Sequence, residues 1–248
     1  MLKQFLLASF ACALAVVSGF GVSAKAEAKP VYTVAMDAAY PPFGSQDLKS
    51  KEYVGYDVDI IKAIAAKEGF AVKIRNLQFD GLIPALRTGN IDIAINDITI
   101  TPDRAKNVDF SHRYYIAGLG VVVQKNNRTI RTAKDLEGKR LGVSIGSTGE
   151  EAARKIKNAD VHVYNQLNEA YLELRNGGVD AVVNDIPTND YYVATAGRGA
   201  VKALPVALTQ EDLGIAVKKG NTKLLTQIND GLAKIKKDGE FAQIYHKW

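Results

Sequence analysis

The sequence predicts an α/β protein of two similar lobes, each built on a mostly parallel sheet flanked by helices. Strand-length apolar runs alternate with helical stripes along the chain, as in sheets crossed by helices. No low-complexity linker interrupts them, and one helix-turn-strand unit is written twice. Residues 79–97 and 167–185 align with Leu86/Leu174, Arg87/Arg175, Gly89/Gly177, Asp92/Asp180, Asn96/Asn184 and Asp97/Asp185 in register. Both copies end their strand on Asn-Asp, which makes the repeat one unit in each of two lobes.

The elements follow in order. Val31 to Met36 reads as a first strand, ending at Asp37 and the turn-rich AAYPPFGS. Tyr56 to Glu68 carries a helical stripe (Val58, Ile60, Ile61, Ile64, Ala65) and stops at Gly69. Ala71 to Ile74 is a second strand. In the first repeat copy Asp80 is placed to cap a helix with Leu82, Ile83 and Leu86 on one face, and Gly89 to supply a left-handed stop. IDIAIN, isoleucine-rich and without strict polar alternation, reads as a strand covered on both faces. A second series has strands at 120–124, 141–144 and 161–164, a helix at 150–156, and the second repeat copy. Residues 213–217 form a strand, and 223–248 supply helices with apolar positions at Leu224, Leu225, Ile228, Leu232, Ile235, Phe241 and Ile244. The connections between lobes are expected as short extended segments near 116–120 and 210–214.

Composition narrows the function. Lys3, the apolar run Phe5 to Val17 and the small residues after it have the layout of a cleavable export signal, residues 1–26, with cuts after Ala24 or Ala26. That run is shorter than the ~20 residues a membrane span requires. Cys12, the only cysteine, leaves with it, so the mature chain has neither disulfide nor thiol chemistry. Roughly 220 residues remain, enough for two lobes of about 100 each. The net charge of +5 is mild and dispersed among acids, which argues against a nucleic-acid face.

Ligands of open α/β sheets bind beyond the carboxyl ends of the parallel strands. That singles out Asp37, the group Asn96-Asp97-Ile98-Thr99, the segment Ser144 to Gly149, and Asn184-Asp185. Thr101-Pro102-Asp103-Arg104 starts a helix, with Thr101 as cap; Arg104 is either a surface residue or a ligand contact. IGSTGEE, between a strand and a helix, offers backbone N–H groups beside Ser147 and Thr148 to an anion such as a carboxylate, or is a plain capping loop. It lacks the Gly-Lys-Ser/Thr of a phosphate loop, and no G-x-G-x-x-G occurs, so nucleotide binding has little support. His112, His162 and His246 have no metal-ligand spacing and no nucleophile elbow occurs. Neither metal nor cofactor is called for. Asp37, Asp97 and Asp185 suit either acid/base work or a bound cation such as an ammonium.

These segments carry a resemblance. YPPFGSQ, YVGYDVDIIKAIA, FDGLIPALRTGNIDIAINDITITPDRAKNVDFSHRYY, LGVSIGSTGEEAARK, VDAVVNDIPTNDYYV and GEFAQIYHKW resemble the periplasmic amino acid binding proteins of ABC importers. The glutamine, histidine and lysine/arginine/ornithine binding proteins are the most similar types. The resemblance runs in order through everything after the signal.

It implies the type II periplasmic binding protein fold: two lobes joined by two hinge strands that close on one free amino acid. Here lobe 1 would be 30–117 plus 213–248, and lobe 2 118–212. It further implies a periplasmic monomer that is not an enzyme and that presents its ligand to ABC permease membrane subunits. Residue by residue, Arg104 matches the arginine that pairs with the ligand α-carboxylate. Thr99 matches the residue whose N–H meets that carboxylate and whose hydroxyl meets the α-ammonium. Thr148 matches an N–H donor from lobe 2, and Asp185 the partner of the α-ammonium. Asp37 matches the acid that meets the ligand side chain, and Tyr40 and Phe79 the aromatics that sandwich it. That wall suits lysine, ornithine or arginine, and a basic amino acid, histidine included, is the preferred ligand. Glutamine is the alternative; glutamine-binding relatives carry a lysine where this chain has Ser144. Relatives usually have a small or neutral residue at Asp97, so its carboxylate either enters the cleft or turns to solvent. A dehydratase-like enzyme and a sensory module are the rival uses of the scaffold.

Overall fold

The structure is a computed structural model and describes residues 29–248. The expected export signal, its cleavage site and Cys12 lie outside the described residues.

Two five-stranded sheets organise the chain. The first runs Ala71–Asn76, Val31–Met36, Ile93–Ala94, Ala216–Lys218, Val108–Phe110, and the second Asp160–Tyr164, Arg140–Ser144, Ala181–Asp185, Leu119–Gln124, Val201–Ala203. In each, three adjacent strands are parallel and the fourth in spatial order is antiparallel to both its neighbours. The reversed strand in each sheet is the first to follow a crossing between the sheets. The crossings themselves, Tyr115–Ala117 and Glu211–Leu213, pair antiparallel as a two-stranded ribbon.

Both repeat strands occupy the centre of their sheets. Ile93 and Ile95 pack toward Ile60, Ile61 and Ile64 of the helix Tyr56–Glu68 and toward Leu224, Ile228, Leu232 and Ile235 of the helix Thr222–Lys237. Ala94 faces the other way, toward Leu82 and Leu86. A strand buried on both faces has no polar side to display, so its sequence does not alternate. In the second sheet Val183 and Ala181 face one apolar cluster and Val182 the other. Gly89 and Gly177 both take the left-handed conformation that ends their helices, with φ of 77° and 80°. Asp92 and Asp180 also do one job twice: each carboxylate accepts a backbone N–H from the neighbouring parallel strand, Thr33 at 2.7 Å and Arg140 at 2.9 Å.

Two boundaries differ from expectation. Asp80 caps nothing: Phe79–Gly81 is a 3-10 turn and the helix proper is Leu82–Thr88. The cap comes from elsewhere, because the Phe79 N–H donates to the carboxylate of Asp37 at 3.2 Å. The strand expected over 213–217 is split, with Leu213 paired to Tyr115 in the connecting ribbon and Ala216 to Ala94 in the first sheet.

Gly55 is a close-approach position. Its φ is 143°, and an added Cβ would lie 2.1 Å from the Phe43 carbonyl oxygen, the group that accepts the Asp57 N–H at 3.0 Å. Gly55→Ala combines a forbidden backbone with a clash and is expected to cost about 3–5 kcal/mol in a denaturant titration. A loss under about 1 kcal/mol would show that the start of the helix can withdraw from Phe43.

Candidate functional site

The carboxyl ends of the central strands of both sheets meet across one cleft. The first sheet brings Asp37 after Val31–Met36 and Asn96-Asp97 after Ile93–Ala94. The second brings Ser144 and Asn184-Asp185 at the ends of Arg140–Ser144 and Ala181–Asp185. Apart from bonds to the connecting ribbon, three side-chain hydrogen bonds among the described residues cross from one side to the other. Arg104 Nη2 donates to the Gly146 carbonyl at 3.0 Å, the Tyr40 hydroxyl to Asn184 Oδ1 at 3.1 Å, and the Thr188 hydroxyl to Asp97 Oδ2 at 3.4 Å.

Arg104 sits in the short helix Pro102–Ala105, whose first turn is capped by the Thr101 hydroxyl. It is buried, its guanidinium lies 5.3 Å from the Phe79 ring centroid, and Nη1 donates to the Thr99 carbonyl at 3.0 Å. Burial pulls its pKa below the ordinary value, opposed by Glu151, Asp185 and Glu211. Among the described residues Arg104 is the buried cation, whereas Asp37, Asp57, Asp97, Asp185 and Glu211 are all buried acids. The cleft and its backing therefore hold more acidic groups than the one arginine can pair.

The Asp97 carboxylate enters the cleft instead of turning to solvent: it is 3 % exposed and reaches Thr188 of the other lobe. Its backbone is left-handed, φ 53°, a conformation aspartate tolerates better than most residues. Asp57 stabilises it by accepting the Asp97 N–H at 2.9 Å. Burial, then the nearby Asp185 and Asp57, push Asp97 well above the usual carboxylate range. Burial and Glu211 likewise raise Asp185, against Arg104. Asp57, wholly enclosed, is pushed by burial up to about 7. Asp97 Oδ1 and Asp185 Oδ1 are buried acceptors without a hydrogen-bond donor, as Asn96 Nδ2 and Asn184 Nδ2 are buried donors without an acceptor. Orphaned buried polar atoms are costly, and a ligand in the cleft would give these four at the strand tips their partners.

The aromatic wall differs from expectation. Tyr40 and Phe79 stack on each other with centroids 5.8 Å apart and planes at 22°. A planar group held between two rings requires about 7 Å, two contacts of ~3.5 Å, so these rings must part by roughly an ångström to hold one. Tyr40 also leaves its own lobe and packs with Leu167, Tyr171 and Val182 of the other. Asp37 spends both carboxylate oxygens on backbone, Oδ1 on the Ala39 N–H at 3.0 Å and Oδ2 on Phe79, and thereby fixes the segments that carry both rings. Burial raises its pKa against these two bonds.

The remaining predicted residues divide. Thr99 and Thr148 are brought together, both hydroxyls donating to Glu211 Oε2 at 2.6 and 2.8 Å. Ser147 is a cap: its hydroxyl accepts from Glu150 N at 3.0 Å and donates to the Ser144 carbonyl at 2.7 Å. Ser144 is buried at its strand tip. The Ile98 side chain lies in the core with Leu82, Leu86 and Val108, and its carbonyl accepts the Gly214 N–H, so it shapes the cleft only through backbone. Sequence reasoning missed Asp57, Thr188 and Glu211. A signal for Asp57 was present, because it stands at the i position of the apolar stripe Ile60, Ile61, Ile64. Nothing in the pattern around Thr188 or Glu211 marks them.

Two α/β lobes joined by two crossings, with a polar cleft between the strand tips, define a two-lobed binding protein of the type II periplasmic class. The chain belongs to the bacterial extracellular solute-binding proteins, family 3, whose description matches residues 32–248. It is 33% identical over 247 residues to the L-cystine-binding protein TcyJ of Escherichia coli (strain K12), covering 95% of this chain and 92% of that protein. Among solved structures it is similar to an ancestral arginine-binding protein bound to arginine, with 42% identity, a TM-score of 0.85, and coverage of 89% of this chain and 98% of the other. An ancestral arginine-binding protein bound to glutamine is similar at 42% identity and a TM-score of 0.83, with 90% and 99% covered.

Proposed function

We propose that this protein captures a free polar L-amino acid with a basic side chain, arginine, lysine, ornithine or histidine, and delivers it from the periplasm to ABC permease membrane subunits. It acts as a monomer, without cofactor or metal and without chemistry of its own. Lobe 1, 30–117 plus 213–248, and lobe 2, 118–212, close around the ligand by rotation about the two crossings. The observation that carries the reading is the imbalance of buried acids and bases: one arginine stands among Asp37, Asp57, Asp97, Asp185 and Glu211, and three of these acids, Asp57, Asp97 and Asp185, have orphaned oxygens. A zwitterion alone adds no net charge, whereas a basic amino acid brings one more cation.

Arg104 takes the α-carboxylate with help from the N–H groups of Thr99 and Thr148. Asp185 and Asp97 take the α-ammonium from opposite lobes, with the Thr99 hydroxyl. Asp37, Tyr40 and Phe79 receive the side chain, while Ser144, Ser147 and Ile98 line the cleft or hold its backbone. Closure is a population shift, since a ligand favours the closed form only through contacts to both lobes. The Arg104–Asp185 zwitterion clamp also favours retention over a dehydratase reaction, so no turnover of prephenate-like acids is expected. Glutamine is the second reading, supported by the similar ancestral protein bound to glutamine.

A thermal-shift panel of arginine, lysine, ornithine, histidine, glutamine and cystine on ligand-stripped protein tests this. A ligand at a hundredfold its Kd stabilises by about 2.7 kcal/mol, roughly 5–10 °C for a chain of this size. The basic members are expected to give the largest shifts. A shift with glutamine and none with arginine overturns the preference for a basic ligand.

A further inference from the structure

We infer that Glu211 is a positioning residue of the amino acid site, acting from the connecting ribbon through the hydroxyls of Thr99 and Thr148. The inference rests on the amino acid reading above and deepens it. Glu211 opens the second crossing, Glu211–Leu213, and pairs with Ala117 of the first. It is buried, and three hydroxyls converge on its carboxylate. Thr99, beside the first sheet, and Thr148, at the start of the helix Thr148–Ala153, donate to Oε2 at 2.6 and 2.8 Å, and Thr209 donates to Oε1 at 2.9 Å. The Thr209 oxygen in turn accepts the Leu119 N–H at 3.0 Å, just past the first crossing. One side chain thus ties both crossings to one threonine from each lobe.

A carboxylate only accepts, and a threonine hydroxyl has one proton. Glu211 therefore consumes the single donor of both Thr99 and Thr148, in charge-assisted bonds of the short, strong kind. Each hydroxyl has only lone pairs left to offer. A hydroxyl so fixed suits an α-ammonium, which donates, and disfavours an α-hydroxyl or any acceptor at that place. Glu211 thus sets the polarity of two groups in the cleft without a role of its own in contact with the ligand, and it does so on both lobes at once, so the polarity is complete only when they close.

Glu211→Gln separates this role from a merely structural one, because the amide keeps size and shape but turns one acceptor into a donor and lets a threonine proton reverse. Titration calorimetry with L-arginine and with its α-hydroxy analogue reads the polarity. Wild type is expected to prefer the amine form, and Glu211→Gln is expected to reduce that preference by about tenfold, the equivalent of ~1.4 kcal/mol; an unchanged ratio overturns the inference. A second arm requires no ligand. Melting temperatures of Glu211→Gln, Thr99→Val and the double variant are expected to be non-additive, the double losing less than the two singles together; additivity overturns the pairing. If wild type binds no amino acid, the functional reading fails while this arm still decides whether Glu211 holds Thr99. Should Glu211→Gln not fold, Glu211→Asp, which withdraws the carboxylate by one methylene, is expected to reduce the amine preference in the same direction.

Discussion

Replacing Arg104 by Ala is expected to leave a folded protein that has lost roughly 30- to 5,000-fold in affinity for every amino acid it binds. The guanidinium contributes little to the cores: its contacts are the Thr99 and Gly146 carbonyls and the face of Phe79. Truncating one partner of a buried, hydrogen-bonded charge pair costs about 2–5 kcal/mol, much of it the penalty of leaving the other charge buried alone. Here the penalty is enlarged, because Arg104 also offsets Asp185 and Glu211 and one of the three bonds between the lobes goes with it. The loss should be uniform across side chains, since the group recognised is common to all. Agmatine, which is arginine without its carboxylate, supplies the control: the variant should lose far less affinity for it than for arginine, only what the missing bond between the lobes costs. Arg104→Lys should recover the fold fully and the affinity only in part, because a lysine cannot form the planar two-point contact. Calorimetric affinities for arginine that match wild type would remove Arg104 from the site.

Much of this arrangement was legible before the structure, and the reason it was legible is locality. Strands covered on both faces announce themselves as unbroken runs, as IDIAIN and AVVND do, and helix ends announce themselves through Gly89 and Gly177. The repeat was legible for the same reason, and its shared residues prove to be shared tasks: Asp92 and Asp180 each accept the N–H of a neighbouring strand. What was not legible depends on which distant residues meet. Tyr40 packs into the opposite lobe and bonds Asn184, 144 residues away, and Glu211 reaches Thr99 across 112 positions. Periodicity reports which face of an element is apolar and carries no record of the element it will face. The same limit explains Asp80. The sequence placed an acid where a cap belongs, but the acid that caps Phe79 came from another strand.

Asp97→Asn should raise the stability of the unliganded protein and lower its affinity for basic amino acids, two effects of opposite sign from one atom pair. Asp97, Asp185 and Asp57 are like charges held in low dielectric, and burial raises all three pKa values. A group whose folded pKa is raised favours the folded state while it is protonated, and that contribution is lost as pH rises through the folded value. With Asp57 pushed up to about 7, unliganded wild type should melt lower at pH 8 than at pH 5, each such carboxyl contributing at most about 1.4 kcal/mol per pH unit between those limits. An asparagine at position 97 removes one member of the set, so the variant's melting temperature should depend less steeply on pH and lie above that of wild type at pH 8. Binding should respond the other way. A cation between Asp97 and Asp185 makes charge-assisted hydrogen bonds worth about 1.5–3 kcal/mol each, so losing one should weaken arginine by roughly 10- to 150-fold. Glutamine loses the same contact to its α-ammonium but has no cationic side chain to feel the lost charge as well, so it should weaken less, and the ratio of arginine to glutamine affinity should fall. Because burial holds Asp97 above the usual carboxylate range, the wild-type protein should also release protons on binding arginine, seen as a dependence of calorimetric heat on the buffer's ionisation enthalpy, and the variant should release fewer. A variant that is no more stable at pH 8 and keeps the wild-type ratio would mean that the Asp97 carboxylate neither strains the cleft nor selects its ligand.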